Sequence, residues 1–242
     1  MEWSDDAVVL GLRPFGENGA ILEALTRQHG RHLGLLRSAT SKRTRGVLEP
    51  GNILEVQWRA RIDQQLGNFT VELVAARAAH FFEDSLKLSA LSAVCAVCST
   101  TLPEREGHER VFLALDELLQ QMNDVTGSEW LETYIRFELL LLGDLGFGLD
   151  LSTCAVTGER EGLAYVSPKT GRAVTRVGAG GYAARLLSLP EFMTSANASF
   201  DVEQVKLGAA LTGHFLERFM HEAHGRALPE SHQRFRQKIQ SL

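Results

Sequence analysis

The chemistry that this sequence can carry is concentrated in its positively charged residues. From residue 13 to residue 61 there are nine Lys and Arg residues and four Asp and Glu residues. Clustered cations repel one another, and a nucleic-acid backbone is their commonest partner because each phosphate contact releases a condensed counterion. We therefore predict a surface that tracks the backbone and reads little base sequence. Its candidate residues are Arg13, Arg31, Arg37, Lys42, Arg43, Arg45, Arg59 and Arg61.

The overall charge gives no support to this prediction, because the formal net charge is −5. Screening acts over about 8 Å at physiological salt, so a locally basic face can still work on an acidic chain. The centre of the basic stretch, residues 38–46, has no apolar periodicity and reads as an exposed loop between strands. The alternative is an ordinary solvated loop without a ligand.

The sequence gives little support for a catalytic, metal-binding or nucleotide-binding site. There is no His-x-x-x-His pair and no Gly-x-Ser-x-Gly, and Gly178–Gly181 lacks the lysine of a phosphate-binding loop. Cys95 and Cys98 lie in an apolar helical run and are interpreted as core residues. We expect no catalytic residue and no cofactor. Three cysteines, an acidic first segment and the absence of an apolar run of about 20 residues predict a cytoplasmic protein without a membrane span.

The elements that carry the basic residues read as strands over the first eighty residues. The first strand is predicted from Ala7, and the clearest, 53–60, alternates apolar and polar residues with a period of two. This alternation places Trp58 in the core and Arg59 on the outer face. Phe15 and Phe69 lie near turns and are candidates for exposed rings. Five short strands with glycine-rich turns predict a small barrel or sandwich, for example an OB-fold, which suits single-stranded nucleic acid.

From Ser85 onward the pattern is helical, which gives an α+β chain with predicted domains 1–80 and 81–242. Helices are expected over 86–101, 109–123, 128–146, 202–221 and 231–239, and a further one over 183–189. The helix 109–123 places its apolar residues on one face, namely Val111, Leu115, Leu118, Leu119 and Met122. An irregular or hairpin insert is predicted at about 149–182, where glycine and turn residues replace the helical period.

Several short motifs then carry a resemblance to a known family. RFELLLLGDLGFGLDLSTC at 136–154 with AVTG at 155–158, and YVSPKTGRAV at 165–174, resemble the bacterial RecO family. GENGAILE at 16–23, TRQHGR at 26–31 and LEPG at 48–51 match in the same order. The resemblance implies an N-terminal five-stranded OB-fold barrel and a mainly helical C-terminal domain with a small zinc-finger-like insert. It also implies a non-enzymatic DNA repair and recombination mediator, cytoplasmic and associated with the nucleoid. Such a protein binds single- and double-stranded DNA, anneals complementary strands and, with the partner RecR, assists loading of the RecA recombinase on strands coated by the single-stranded-DNA-binding protein (SSB).

The insert is expected to lack metal. A structural zinc site needs four Cys or His ligands, and zinc-binding members of the family place two Cys-x-x-Cys pairs there. In this chain Cys154 is followed by Thr157 where the second cysteine would fall, and the second pair would fall near Thr175 and Gly178. Three of the four ligands are therefore absent. The insert must then be held by packing, for which Cys154, Tyr165, Val166 and Val174 are candidates.

A second candidate site lies on the helix 128–146. Leu139–Leu142 is apolar all round, so either it is fully buried or one side is an exposed apolar patch. Arg136 and Leu140 share a face at i, i+4. An arginine beside an apolar surface can hold a peptide that ends in an acidic residue and an aromatic carboxylate. The resemblance implies that Arg136, Leu139 and Leu140 bind the SSB C-terminal tail; the alternative is a buried helix with a structural arginine.

Two other functions remain as rivals. The first is a protein adaptor whose basic face docks an acidic partner without DNA contact. The second is a hydrolase with an unrecognised site.

Overall fold

A five-stranded closed barrel forms the first part of the chain. The computed structural model describes residues 1–37, 42–62, 65–195 and 199–242. The strands are β1 (Glu2–Phe15), β2 (Gly19–Thr26), β3 (Gly30–Leu36), β4 (Ile53–Arg59) and β5 (Asn68–Ala75), paired in the order β1-β2-β3-β5-β4. Pairing of β1 with β4 closes the barrel, and only β3 and β5 run parallel. The predicted α+β class with an N-terminal OB-fold barrel is confirmed.

The interior of the barrel is filled by alternate residues of its strands. In β4 the residues Leu54, Val56 and Trp58 are buried, whereas Glu55, Gln57 and Arg59 are exposed. Burial on one side of each pleat is what a period of two requires. The prediction that Trp58 is a core residue and Arg59 faces outward is therefore confirmed.

Strand β1 begins five residues earlier than the predicted Ala7, so that prediction is wrong. The acidic Asp5 and Asp6 hide the strand in the sequence, yet Asp5 points inward and is only 8% exposed. Its carboxylate accepts hydrogen bonds from the backbone N–H groups of Gln28 (2.8 Å) and His29 (3.3 Å) and pairs with Nδ1 of His29 at 3.0 Å. A buried carboxylate with several partners is compatible with a strand interior.

A short helix replaces most of the predicted basic loop at 38–46. Helix α1 spans Lys42–Val47, so the loop prediction is wrong over 42–46, and residues 38–41 lie outside the described residues. The buried Asn52 holds the end of this helix, because its Nδ2 donates to the carbonyls of Gly46 (2.9 Å) and Val47 (3.1 Å). Such a tertiary contact can overcome the weak helix propensity of so short a segment.

The longer helices of the chain follow the sequence pattern closely, whereas the short α5 (Arg176–Ala179) was not predicted. The longer ones are α2 (Ser85–Thr101), α3 (Glu109–Asp124), α4 (Trp130–Asp144), α6 (Val202–Phe219) and α7 (Glu230–Gln240), with a π-helical turn at Met220–His224. All five residues of the apolar face predicted for α3 are buried. The carboxylate of Asp84 caps α2 by accepting from the N–H groups of Leu86 and Lys87.

The predicted insert contributes two strands to a small sheet, and a third strand follows it in the chain. Strands β6 (Leu163–Val166), β7 (Ala173–Thr175) and β8 (Leu187–Ser188) pair in the order β7-β6-β8. The prediction of a helix over 183–189 is wrong. A 3₁₀ turn at Gly180–Arg185 leads instead into β8, which pairs with β6. Apolar residues of a short segment do not by themselves distinguish a helix from a strand.

Two compact units can be distinguished. The first comprises residues Met1–Thr126 with Pro229–Phe235, and the second comprises Gly127–Leu228 with Arg236–Leu242. Helices α2 and α3 thus belong to the same compact unit as the barrel, while the domain division at residue 80 stays a prediction. Among the described helices, none combines the length and apolar character needed to cross a membrane.

Packing between β3 and β5 predicts a sharp difference between two glycines of the barrel. A Cβ atom at Gly34 would lie 2.8 Å from Cε2 of the buried Phe69, whereas a Cβ at Gly11 would meet nothing within 4 Å. We expect Gly34→Ala to lower the free energy of unfolding by about 1–3 kcal/mol through overpacking. Gly11→Ala should leave it unchanged or raise it by up to about 1 kcal/mol. Chemical denaturation of both variants measures this, and equal effects would contradict the packing described.

Candidate functional site

Three of the predicted DNA-binding arginines gather at one end of the barrel. Arg59 ends β4, its Cα lies opposite that of Asn68, and Nε of Arg37 donates to Oδ1 of Asn68 at 3.3 Å. Arg61 follows two residues after Arg59 and is exposed. Nε of Arg59 lies 3.3 Å from Oε2 of Glu2, with side chains 76% and 44% exposed. We call Arg37, Arg59 and Arg61 the strand-end arginines.

Two further predicted residues share one carboxylate elsewhere on the barrel. Arg13 Nη2 lies 3.2 Å from Oε2 of Glu23, and Arg31 Nη1 lies 2.7 Å from Oε1 of the same side chain. Arg31 also donates from Nε to the carbonyl of Leu102 at 2.8 Å, and its side chain is only 16% exposed. Arg13 therefore keeps most of its surface free, while Arg31 would have to break structural hydrogen bonds before it could contact a phosphate.

The last three predicted residues belong to α1. Arg45 is exposed and makes no ion pair with any residue that the structure describes. The side chains of Lys42 and Arg43 lie outside the described residues. Buried Leu48 follows the helix and packs in the barrel core, which fixes the position of α1 on the first unit.

A layer of aromatic rings lies at the same barrel end as the strand-end arginines. The register pairs Trp3 with Trp58 and Trp58 with Phe69, and the first two rings stack with centroids 5.6 Å apart. His32 meets Trp3 and Trp58 edge to face, with both centroids at 5.0 Å. The prediction that Phe15 is exposed is confirmed, because it is 51% exposed, but the same prediction for Phe69 is wrong, because it is 5% exposed.

Sequence reasoning missed the outermost part of this layer. The ring of His29 stacks on Trp3 with centroids 4.0 Å apart and an interplanar angle of 5°, and Asp5 holds that imidazole through Nδ1. Trp3, Asp5 and Ala7 alternate with exposed residues, so a period of two was present from the start of the chain. The charge of the acidic residues concealed it.

The buried imidazole of His32 stands out within the aromatic layer. It is 3% exposed, and neither ring nitrogen makes a hydrogen bond with any described residue. Burial lowers its pKa from the ordinary value of 6.5, with a backbone group of His29 acting in the opposite direction. Burial thus favours the neutral form of the ring, and the contact with the backbone of His29 does not give either nitrogen a hydrogen bond of normal geometry.

The second unit presents the predicted patch on α4. Arg136 is exposed and lies over the ring of Phe192, with its guanidinium carbon 5.3 Å from the centroid. Leu139 and Leu140 are half-buried, whereas Leu141 and Leu142 are buried. This apolar segment is therefore neither fully buried nor fully exposed, and the side that carries Leu139 and Leu140 remains partly accessible. Arg136 has a stable aromatic support and a free outer face.

One turn earlier on α4, Glu132 lies close enough to Arg136 to matter for its charge. Burial raises the pKa of the Glu132 carboxyl, and the neighbouring guanidinium of Arg136 lowers it in part. Oε1 of Glu132 is buried without a hydrogen-bond partner among the described residues. Glu132 and Arg136 therefore interact electrostatically on neighbouring turns of α4.

The four positions at which a zinc site would need its ligands come together in the insert, although only one of them carries a cysteine. Sγ of Cys154 accepts hydrogen bonds from the backbone N–H groups of Thr157 (3.4 Å) and Thr175 (3.2 Å) and lies 3.5 Å from Oγ1 of Thr175. A Cβ at Gly178 would lie 3.1 Å from the same sulfur. A threonine or glycine here offers no soft ligand, so the residues present do not fit a tetrahedral zinc site. Within the described residues no cluster of three metal-ligating side chains occurs.

Hydrogen bonding to this sulfur changes its acidity. Burial alone raises the pKa of the Cys154 thiol, but the hydrogen bonds from Thr157 and Thr175 outweigh burial and lower the pKa from 9.0 to about 6. Cys95 and Cys98 are buried in α2, as predicted for core residues, and burial raises the pKa of Cys95 to about 12. The three thiols therefore differ widely in acidity.

Comparison with known proteins relates both parts of the chain to one family. Residues 1–77 match the family described as Recombination protein O N terminal, and residues 83–225 match Recombination protein O C terminal. A DNA repair protein RecO of Rhodospirillum centenum is 46% identical over 97% of this chain and 93% of its own length. The protein of the same name from Rhodospirillum rubrum is 44% identical over 99% of this chain and 96% of its own length. That of Sinorhizobium medicae is 44% identical over 93% and 89%.

The acidity of Cys154 predicts a pH-dependent stability. Because the folded state lowers this pKa, the hydrogen bonds to the thiolate stabilise the folded protein fully above pH 9.0. This contribution to the free energy of unfolding is lost as the pH falls towards about 6. Thiolate absorbance at 240 nm should show one thiol titrating near pH 6 in the folded protein. The Cys154→Ser variant should lose this titration and Cys95→Ser should retain it. A wild-type protein with no thiolate below pH 8 would contradict the hydrogen-bonding described.

Proposed function

The chain belongs to the RecO family, and we propose that it binds single- and double-stranded DNA and anneals complementary strands. Family membership supports a function in DNA repair and recombination. The observation that carries the proposal is that Arg37 and Arg59 both lie beside Asn68 on the barrel, with the exposed Arg61 two residues after Arg59. With the partner RecR, the protein assists loading of the RecA recombinase on SSB-coated DNA in the cytoplasm, in association with the nucleoid. This last role is taken from the family alone.

The mechanism that we propose is electrostatic. Complementary strands repel each other through their phosphates, and this repulsion slows pairing. Arg37, Arg59 and Arg61, with Arg13 and the basic residues of α1, neutralise phosphates on the strands that they hold and release counterions. Annealing of this kind forms and breaks no covalent bond, so it requires no catalytic residue, metal or cofactor.

The carboxylate beside Arg59 does not prevent this role. An exposed ion pair contributes about 0–1 kcal/mol, and the Arg59 side chain is 76% exposed. A phosphate can therefore displace Glu2 from Arg59 at small cost. Arg31 differs, because its guanidinium is engaged with Glu23 and the Leu102 carbonyl. We assign Arg31 the weakest part in DNA contact among the eight predicted residues.

The second part of the proposal is that the α4 patch binds the SSB C-terminal tail. Such a tail ends in acidic residues and an aromatic carboxylate. The exposed guanidinium of Arg136 can take the terminal carboxylate, and the half-buried Leu139 and Leu140 can receive the aromatic ring. Phe192 stacks beneath Arg136 and fixes it in place.

A salt titration tests the DNA-binding proposal against the adaptor alternative. The affinity for a fluorescently labelled single strand should fall steeply with salt, with a log–log slope of about −0.7 for each phosphate contacted. The same protein should accelerate annealing of two complementary labelled strands. An adaptor that docks only acidic proteins would bind neither strand.

The ion pair of Glu2 with Arg59 gives a sharper prediction. Glu2→Gln frees Arg59 and removes a negative charge from the proposed DNA path, so the affinity for single-stranded DNA should rise about threefold. Glu17→Gln changes the net charge equally but lies in the exposed β1–β2 turn, and should have a smaller effect. Anisotropy titrations at one salt concentration compare the two variants. Equal increases would mean that net charge, rather than the strand-end arginines, governs binding.

The tail-binding proposal is tested by a double-mutant cycle. Arg136→Ala should weaken binding of a peptide with the SSB tail chemistry at least tenfold, because a charged hydrogen bond contributes about 1.5–3 kcal/mol. Amidation of the peptide's C-terminus should weaken binding to the wild type similarly but have little further effect on Arg136→Ala. Arg226→Ala removes an exposed arginine of the same unit and serves as control. If amidation weakens binding to both proteins equally, Arg136 does not hold the carboxylate.

A further inference from the structure

The barrel carries a pocket that the electrostatic mechanism does not use. It has a volume of about 550 Å³ and is lined by Trp3, His29, His32, Trp58 and Arg105, together with Met1, Glu2 and Gln28. Ligand pockets in proteins usually measure about 300–1,000 Å³ and combine aromatic walls with a few polar groups. The composition and size of this pocket are thus those of a site for a flat, partly polar group.

Its walls offer stacking surfaces. His29, Trp3 and Trp58 form a continuous stack, with centroids 4.0 Å and 5.6 Å apart. The outermost ring, His29, is 34% exposed, and Asp5 fixes its orientation. Aromatic side chains presented in this way are the platforms on which unpaired bases stack, and the preference is tolerant of base identity because every base has a π face.

The floor of the pocket holds the imidazole of His32. Almost all buried polar atoms in folded proteins have a hydrogen-bond partner, and a group without one requires an explanation. Edge-to-face contact with Trp3 and Trp58 can supply a weak N–H···π interaction but gives nothing to the acceptor nitrogen. A ligand with both donors and acceptors on its edge, as every nucleobase has, would satisfy the ring.

The rim is built with local strain. Arg105 lies over Trp58, 5.9 Å from the ring centroid, and has a φ of 65°, a left-handed conformation that non-glycine residues rarely adopt. Its backbone N–H donates to the carbonyl of Arg31 at 2.8 Å, and its guanidinium donates to the carbonyl of Gln65 at 2.8 Å. These bonds hold a positive charge at the mouth of the pocket.

The pocket and Arg59 are close to each other on β4. Trp58 immediately precedes Arg59 on β4, and a residue of a strand advances by about 3.3 Å. Because side chains alternate, the tryptophan lies inside and the arginine outside. Glu2 lines the pocket and lies 3.3 Å from Nε of Arg59, so a nucleotide chain held at Arg59 would bring a base close to the pocket.

We propose that this pocket receives one unpaired nucleobase of a DNA single strand, with its face on the Trp3–His29 stack and its polar edge towards His32. The inference rests on the proposed DNA binding and deepens it. A paired base cannot enter, because its edge is occupied and its faces are stacked. The site therefore favours single strands, and a held base must leave the pocket before it pairs with a complementary strand.

Abasic DNA separates this inference from simple phosphate binding. We compare a labelled thymidine 12-mer with a 12-mer of the same charge in which every base is absent. The wild type should bind the thymidine strand about tenfold more tightly, since stacking of one base changes affinity by about five- to more than a hundredfold. His29→Gln keeps a donor for Asp5 but removes the ring, and should reduce this ratio towards one. His29→Phe keeps a ring without the donor, and should preserve the ratio.

The outcomes distinguish a failure of DNA binding from a failure of base binding in the pocket. If neither strand binds, the proposed function itself fails. If both strands bind equally to the wild type, or if His29→Gln retains the full ratio, the base pocket is refuted while phosphate binding stands. His80→Ala, at an exposed histidine of the same unit, is the matched control and should change nothing. Thermal unfolding confirms that each variant is folded, and quenching of tryptophan fluorescence by the thymidine strand alone gives a second readout in the wild type.

Discussion

Strand β1 imposes the constraint on which the rest of the barrel depends, because it hydrogen-bonds to two neighbours in succession. Its first half, from Glu2 to Val8, pairs with β4, and its second half, from Ala7 to Phe15, pairs with β2. This arrangement closes the barrel and places Glu2 beside Arg59 and Trp3 beside Trp58. A slip of one residue would exchange the inner and outer faces. The aromatic interior and the cationic exterior of this barrel end are thus two consequences of one register.

Local compensation of charge explains how an acidic chain keeps a basic face. Glu23 forms ion pairs with Arg31 and with the largely exposed Arg13. Among the described residues, Arg45 and Arg61 have no carboxylate at ion-pair distance. The side chain of Glu23 is only 7% exposed, so loss of its arginine partners would leave a buried carboxylate without compensation. The exposed arginines retain their charge towards solvent. Net charge therefore describes the chain poorly, and pairing within each part of the surface decides which cations remain available for an anion.

Patterns with a short period could be predicted from the sequence, and contacts between distant segments could not. The alternation of apolar and polar residues with a period of two predicted that Trp58 is inside and Arg59 outside. A period of 3.6 residues predicted the buried face of α3. The start of β1 was missed because Asp5 is buried through partners that lie 23 and 24 residues away. Helix α1 was missed because Asn52, a residue beyond the helix, accounts for its end. The candidate arginines were found by charge alone, but their division into paired and free groups depends on Glu23 and Glu2, which the sequence could not assign.

Hydrogen bonds to one sulfur connect two turns of the insert. In a structural zinc site the ion joins four ligands from two turns and thereby contributes to folding. Here the sulfur of Cys154 joins the same two turns by accepting the backbone N–H groups of Thr157 and Thr175. Oγ1 of Thr175 in turn accepts the N–H of Gly178 and so caps α5. Val174 packs with Cys154 in a small cluster, which agrees with the predicted packing. Because a sulfur that accepts several N–H groups is stabilised as a thiolate, the hydrogen bonds of Cys154 connect the two turns more strongly when this thiol is ionised.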